Sequence, residues 1–446
     1  MNVDIVYLLF VPVSMLAFWR WPPERAALLV CLGGWVLLPV GHYPPGSADA
    51  RFPYWIIGLA MPSDMLITKA WIAPATALLG TALFDRQALR ALRLSWLDLP
   101  VALWCAWPFL ATAFVSDARP APTVASLYLA GCWLLPWLLG RLYFSSAEGQ
   151  RLLAKGLALS ALCAMPFSVL EGVLGHSVYG AVYEPHPFRF DGTERYLGYR
   201  PIGFFENGNQ FGLWVALCAL AAVWLARTEP TRSRRPWACI AAVLVLMTLA
   251  AQSLGAIALL AIGTLALWAR GRVQPRRAMA SALLVLAVGG GVYLSGVVPI
   301  THLGKETALG RRIVDGLRSV GRGSFAWRIS QDQKLLGDAL RAPVTGSQQW
   351  DWWRPQGVRP WGLPLLAIGQ FGLTGFVLML CTLLAPAAAA TWQTSAPTGR
   401  RDAGLPLLLT SLVLLALIDA LLNSFFFFPA VIAAGALARP SRAVLH

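Results

Sequence analysis

Residues 200–226 read RPIGFFENGNQFGLWVALCALAAVWLA, and the fold is decided by how this stretch divides. From Gly208 to Ala226 it carries no charge and is almost wholly apolar. A helix rising 1.5 Å per residue needs about 20 such residues to cross a hydrocarbon layer of about 30 Å. Ahead of that run stand Arg200, Glu206, Asn207 and Asn209. Gly and Asn before a helix allow a tight turn and satisfy the free N–H groups of its first turn. A helix start of this kind also attracts anions. The segment therefore reads either as a capping turn or, with Arg200 facing it, as one side of an anion site.

Similar runs recur in both directions, at 4–19, 26–41, 64–84, 97–115, 123–140, 152–172, 237–251, 254–269, 278–298, 361–385, 404–422 and 425–438. With 57% apolar and 13% charged residues and a mean hydropathy of +0.60, the chain lies outside the soluble range. The pattern predicts an all-α polytopic transmembrane bundle of about 12–13 helices, each near the roughly 20 residues a span needs. A β-barrel needs short alternating strands, and these runs are continuous. The pair 237–251 and 254–269 is parted only by Gln252-Ser253, and the last run opens Phe425-Phe426-Phe427-Phe428-Pro429, which reads as a broken or re-entrant helix.

The formal charge is +15, but the arginines are parcelled among short connections between runs. That pattern reads as topology and headgroup contact, not nucleic-acid binding. The seven cysteines all fall in or beside apolar runs, so no disulfide framework and no metal-ligand spacing are expected. No glycine-rich phosphate motif appears and the short connections leave no room for a nucleotide domain, so no cofactor is expected and an ATP-driven pump is disfavoured. Met1-Asn2-Val3-Asp4 lacks the basic start of a cleavable signal.

Lys and Arg counted in alternate connections give the orientation. One set holds 20, mostly in connections of ten residues or so, the kind that obeys the positive-inside rule. That set is assigned to the cytoplasm, with the N-terminus outside. Division of the chain follows: N-terminal helices 1–172, a first outward loop 173–207, central helices 208–298, a large basic outward loop 299–360 and C-terminal helices 361–446. A smaller outward loop, 42–63, is rich in Pro, Gly and aromatics.

From Val298 to Pro360 ten basic residues face five acids, although basic residues normally collect on the other side. Residues 325–340 read as an amphipathic helix, with Trp327, Leu335 and Leu336 on its apolar side and Arg328, Asp332 and Lys334 elsewhere. Ala342-Pro343 stops it and Gly346 follows in a turn. With Arg311, Arg312, Arg318 and Arg322 upstream, the loop is either a solvated basic face drawn to anionic lipid or a site for pyrophosphate, which guanidinium groups bind in a bidentate manner.

On these residues the chain resembles the O-antigen ligase and polysaccharide polymerase superfamily of inner-membrane glycosyltransferases. The resemblance is carried by Arg200-Pro-x-Gly203 with Asn207-x-Asn209, by Arg328, by Pro343 and Gly346, and by Leu365-Leu366-Ala367-Ile368-Gly369-Gln370-Phe371-Gly372-Leu373-Thr374-Gly375. It covers about 155–438. It implies a bacterial inner-membrane enzyme with its active face periplasmic. Its donor would be a glycan on a polyprenyl diphosphate and its acceptor a sugar or other surface hydroxyl, with membrane lipids and chain-length regulators or export proteins as further partners. Neither metal nor nucleotide sugar is implied.

By the same resemblance Arg200 and Arg328 are catalytic, clamping the pyrophosphate and stabilising the charge it gains on leaving. Arg311, Arg312, Arg359, Glu206, Asn207, Asn209 and Trp361 are the expected binding residues. One position departs. Where such ligases carry a His followed by Asn, this chain has Trp361-Gly362, and Trp accepts no proton. Candidate bases are His302, Glu206, His186 and Asp419, the last with Asn423 at i+4 near the outer end of an apolar helix; a helix-packing hydrogen bond explains that pair equally. Lys69, with Asp64 nearby, has the same ambiguity. A flippase for the same lipid, or a non-catalytic subunit of an export complex, are the alternatives. The first would show charges through the depth of the bundle and inverted repeats, and no such repeat is seen.

Overall fold

The computed structural model describes residues 1–41, 58–59, 67–183, 186, 194–195, 197–269, 274–295, 306–319, 324–393, 404–425 and 427–439. Eight of its helices are long and apolar enough to cross a membrane: Val3–Arg20, Trp96–Ala113, Pro122–Tyr143, Ala147–Leu174, Gly208–Thr228, Thr231–Ala250, Pro275–Leu294 and Leu363–Gln393. Shorter apolar helices, Lys69–Phe84, Leu254–Trp268 and Leu405–Ala420, pack with them, as do Pro23–Leu37 and Pro429–Leu437. The protein is an all-α polytopic bundle. Its one pair of strands among the described residues is Glu194–Arg195 with Gly198–Tyr199.

Gly208–Thr228 is the axis. It is buried along nearly its whole length, against Ala147–Leu174, Thr231–Ala250 and Leu254–Trp268. The apolar helix Pro275–Ser295 is instead largely exposed, as a helix solvated by lipid would be. The 21 residues of Gly208–Thr228 span about 30 Å, so its two ends mark two faces of the bundle. Arg200 and Asn209 lie at the first end, while Glu229, just past the second, pairs with Arg151 and Lys155 at 3.6 and 3.3 Å. Among the described residues, the 200–209 turn lies at the first face and the basic Arg151 and Lys155 at the second.

The C-terminal region is interrupted in two places, one expected from Phe425 to Pro429 and one, at Gly372, not. The run 425–438 is a broken span: its helix, Pro429–Leu437, has nine residues and reaches about 14 Å, yet the run leads from Asn423 beside Arg328 to Ala438, whose carbonyl accepts from Arg141. All nine are buried. Gly435 and Gly140 bring this helix against Pro122–Tyr143 so closely that a Cβ on either would lie 2.3 or 2.2 Å from the carbonyl oxygens of Trp137 and Ile432.

The run 361–385 extends as Leu363–Gln393 but breaks at Gly372, whose φ of 70° and ψ of −179° suit glycine alone. The loop causes the break by lying along it. The carbonyl of Pro343 accepts from Leu373 N–H at 2.7 Å, and Ser347 and Gln348 N–H donate to the carbonyls of Gly369 and Gln370 at 2.9 and 2.8 Å. Gly346 (φ 69°) sits where a Cβ would meet the Gln370 carbonyl oxygen at 2.4 Å. Pro343, Gly346 and the 365–375 segment, separate in sequence, thus form one joint.

The long loop is partly helical, with Ala308–Ser319 and Ser324–Ala339. Leu335 is buried and Leu336 partly so, whereas Trp327 is half exposed.

Candidate functional site

The 200–210 turn is built from its own side chains. Asn207 Oδ1 accepts from Asn209 and Gln210 N–H at 2.9 and 3.0 Å, and Gln210 Oε1 accepts from Glu206 N–H at 2.9 Å. Buried Glu171 holds the turn from below: its Oε2 accepts from Ile202 and Gly203 N–H, both at 2.8 Å, and its Oε1 from Val178 N–H at 3.0 Å. Hydrogen bonds to a charged acceptor are worth about 1.5–3 kcal/mol each, so this carboxylate is a principal anchor. No sequence pattern pointed to it.

Arg200 is only 4% exposed. Its Nε donates to the Ala251 carbonyl at 2.8 Å and its Nη2 to Asn209 Oδ1 at 2.7 Å. Gly208 makes room, since a Cβ there would lie 2.5 Å from Arg200 Nε. Lys69 Nζ donates to the Phe204 carbonyl at 2.6 Å and lies over the rings of Trp35 and Phe205, within electrostatic reach of Glu206. It tethers the turn. His186 lies against the same turn, Nε2 2.9 Å from the Phe205 carbonyl oxygen, its ring on Tyr179. Asn207, Asn209, Glu206 and Arg200 are thus brought together, in the arrangement of the capping reading.

A second, more open cluster forms where the loop helix Ser324–Ala339 meets the ends of two bundle helices. Arg328 Nη1 donates to Asn423 Oδ1 at 2.6 Å and to the Leu422 carbonyl at 3.1 Å. Asn423 Nδ2 in turn donates to Asp419 Oδ2 at 3.0 Å. The guanidinium of Arg328 also lies 4.9 Å from the Trp361 ring centroid, and that of Arg359 lies 3.7 Å from the same ring. Trp327 meets Trp361 edge-on at 5.1 Å. Two guanidinium groups and two indoles therefore gather at one partly exposed spot.

Asp332, one helical turn beyond Arg328, fixes this spot. Its Oδ1 accepts from Trp361 N–H at 2.6 Å and its Oδ2 from Gly362 N–H at 2.9 Å and from the Tyr293 hydroxyl at 3.4 Å. Burial pushes the Asp332 carboxyl up to about 6, against the two backbone N–H groups, Tyr293 and Arg328, which favour its ionised form. Gly362 is required here, because a Cβ would meet the Leu421 carbonyl oxygen at 2.6 Å. In the sequence Asp332 stands only as part of the helix's polar side. The i,i+4 spacing of Arg328 and Asp332, which puts both on one helix face, was the signal for its role.

The turn at 251–255 lies between the clusters. Its Ala251 carbonyl holds Arg200, and a Cβ on Gly255 would come 3.7 Å from Asp419 Oδ1. Arg311 and Arg312 are exposed on Ala308–Ser319, and no described hydrogen bond or ion pair ties them to Arg328. His302 and Asp64 lie outside the described residues.

Chemically, the open cluster offers two cations beside one aromatic surface, a carboxylate at Asp419 held by an amide, and backbone fixed by Asp332. That suits an anion carrying an organic group. No family model matches the chain, and no curated protein sequence does.

Proposed function

We propose that the protein transfers a glycan from a polyprenyl-diphosphate-linked donor to an acceptor hydroxyl at the periplasmic face of a bacterial inner membrane, as a surface-polysaccharide polymerase or O-antigen ligase-like enzyme. The observation that carries this reading is the pair Arg328 and Arg359 on the single indole of Trp361, at the loop-rich face. Planar guanidinium groups bind phosphate oxygens in a bidentate manner and stack on aromatic rings. As the acceptor oxygen bonds to the anomeric carbon, the bond from that carbon to the diphosphate breaks, and negative charge grows on the leaving group. Fixed cations beside that charge lower the barrier. Asp419 takes the acceptor proton in this scheme, its Oδ2 held by Asn423. Arg200, closed over by the turn, contributes positive potential and shape from beneath.

The placement of buried charge favours this reading over a flippase. The described buried charged residues are Lys69, Arg141, Glu171, Arg200, Glu206, Asp332 and Asp419. Each lies in a loop, on the loop helix or within about one turn of a bundle-helix end, so none lines a path through the middle of the bundle.

The test is in cells. Arg328→Ala and Arg359→Ala, expressed normally, should abolish long surface glycan while lipid-linked units still reach the outer leaflet. Normal glycan in both variants would defeat the assignment, and units held in the inner leaflet would favour a flippase. Orientation is checked by labelling: Ser347→Cys should react from outside and Ser233→Cys only from inside.

A further inference from the structure

The guanidinium pair is useful to a diphosphate only while Trp361 stays in place, and its backbone is held from one side chain. Asp332 spans the gap between the loop helix and the start of Leu363–Gln393, taking the N–H groups of both Trp361 and Gly362. It is buried, with both carboxylate oxygens engaged by Trp361, Gly362 and Tyr293, so its part is to hold backbone. We infer that Asp332 is a positioning residue that makes the site responsive to external pH: its carboxylate latches the Trp361 segment under Arg328 and Arg359, and protonation releases it. This rests on the proposed diphosphate site and names its regulation.

The groups facing Asp332 set the sense of the switch. On its own helix Arg328 favours the carboxylate, as do the backbone N–H groups of 361 and 362 and, from Pro275–Ser295, the Tyr293 hydroxyl. Arg359 reaches the cluster through Trp361, and Asn423 with Asp419 through Arg328. Burial opposes them all and leaves the carboxyl near 6. Because that value is raised above the ordinary 3.8, the ionised form is costly in the folded protein, and the proton returns as pH falls through about 6. A protonated carboxyl keeps one good acceptor oxygen in place of two, so one of the two N–H bonds weakens.

Tyr293 gives a handle outside the site. Its O–H donates to Asp332 Oδ2, so Tyr293→Phe removes a bond that favours the charge and moves the transition to higher pH. A merely structural role for Asp332 predicts no such shift.

The experiment uses the full-length protein in detergent and measures binding of a short-prenyl diphospho-N-acetylhexosamine from pH 8 to pH 5. This probe is a diphosphate diester and does not titrate in that range. The wild type should lose roughly tenfold in affinity as pH falls through about 6, the loss of one hydrogen bond to a charged group being worth about that factor. Tyr293→Phe should bind as the wild type at pH 8 and lose affinity at a higher pH. Asp332→Asn, checked by thermal melting, should bind roughly tenfold more weakly at pH 8 and show no transition. A pH-independent wild type, or an unshifted transition in Tyr293→Phe, would overturn the latch. Weaker binding by Arg328→Ala in that same case would leave the diphosphate site standing. If the wild type bound no probe, or Arg328→Ala bound it equally well, the underlying reading would fail, and the latch with it.

Discussion

Arg141 and Arg328 carry the same group at opposite faces of the bundle and are held in opposite ways. Arg141 is closed in. It pairs with Asp98 at 3.0 Å, and its Nη atoms donate to the carbonyls of Ala438 and Arg93, so three separated segments meet on one buried side chain. Arg328 donates from Nη1 to Asn423 and the Leu422 carbonyl and lays its guanidinium beside the partly exposed indole of Trp361, with Arg359 on the same ring. An arginine buried against a carboxylate and two backbone carbonyls is a clasp; one lying partly exposed on an aromatic face stands where an anion can reach it. Arg200, with Ala251 and Asn209 as partners and 4% exposure, resembles the clasp more than the site. A motif arginine at a loop–helix junction does not by itself reveal which kind it is.

The comparison is broken most severely by removing the clasp. Arg141→Ala takes the cation from Asp98, which keeps Ser95 N–H and Trp137 Nε1, and the donor from the Ala438 carbonyl, and should cost about 3–5 kcal/mol of stability. Fluorescence-detected size exclusion would show mostly misfolded protein; a monodisperse peak with an unchanged melting temperature would contradict the clasp. Arg328→Ala should leave melting nearly unchanged while lowering transfer about 10²–10³-fold, the range for removing one fixed donor at a developing charge. Equal losses of stability in both variants would erase the distinction drawn here.

Smaller effects sharpen it. Gly372→Ala forces a side chain into a glycine-only conformation, at about 1–3 kcal/mol, and places its Cβ 2.2 Å from the Val344 carbonyl oxygen. The loop joint should loosen, read as a lower melting temperature and faster proteolysis near 343–349. Arg359→Lys keeps the charge but loses the planar stack on Trp361, and should weaken donor binding about two- to five-fold. A change as large as that in Arg328→Ala would mean that Arg359, not Arg328, is the principal contact.

The fold was legible because the signal is one-dimensional. A run such as Gly208 to Ala226 has one stable solution in a membrane, and it is helical in the structure. What the sequence hid were features set by contacts between distant segments. The Gly372 break depends on where residues 343–348 come to rest, which periodicity does not report. The break in the last run, by contrast, is marked in the sequence by Pro429, which opens a helix of nine residues in all.

The site was half legible. Arg328 stood out by charge in the wrong loop, and Asp419 with Asn423 by spacing; the structure joins all three. Trp361 entered as a departure from a family pattern, and its ring proves to be the surface on which both arginines meet. Glu171 was indistinguishable from any carboxylate near a helix end. Its role exists only because Ile202 and Gly203 fold back onto it.

The most direct measurement incubates purified protein with a polyprenyl-diphosphate-linked oligosaccharide and candidate acceptors, and follows glycan and lipid products by mass. The account predicts a lengthened or newly linked glycan with one polyprenyl diphosphate released per transfer, lost in Arg328→Ala. Intact donor throughout, in a protein that binds it, or unchanged turnover in Arg328→Ala, would contradict it.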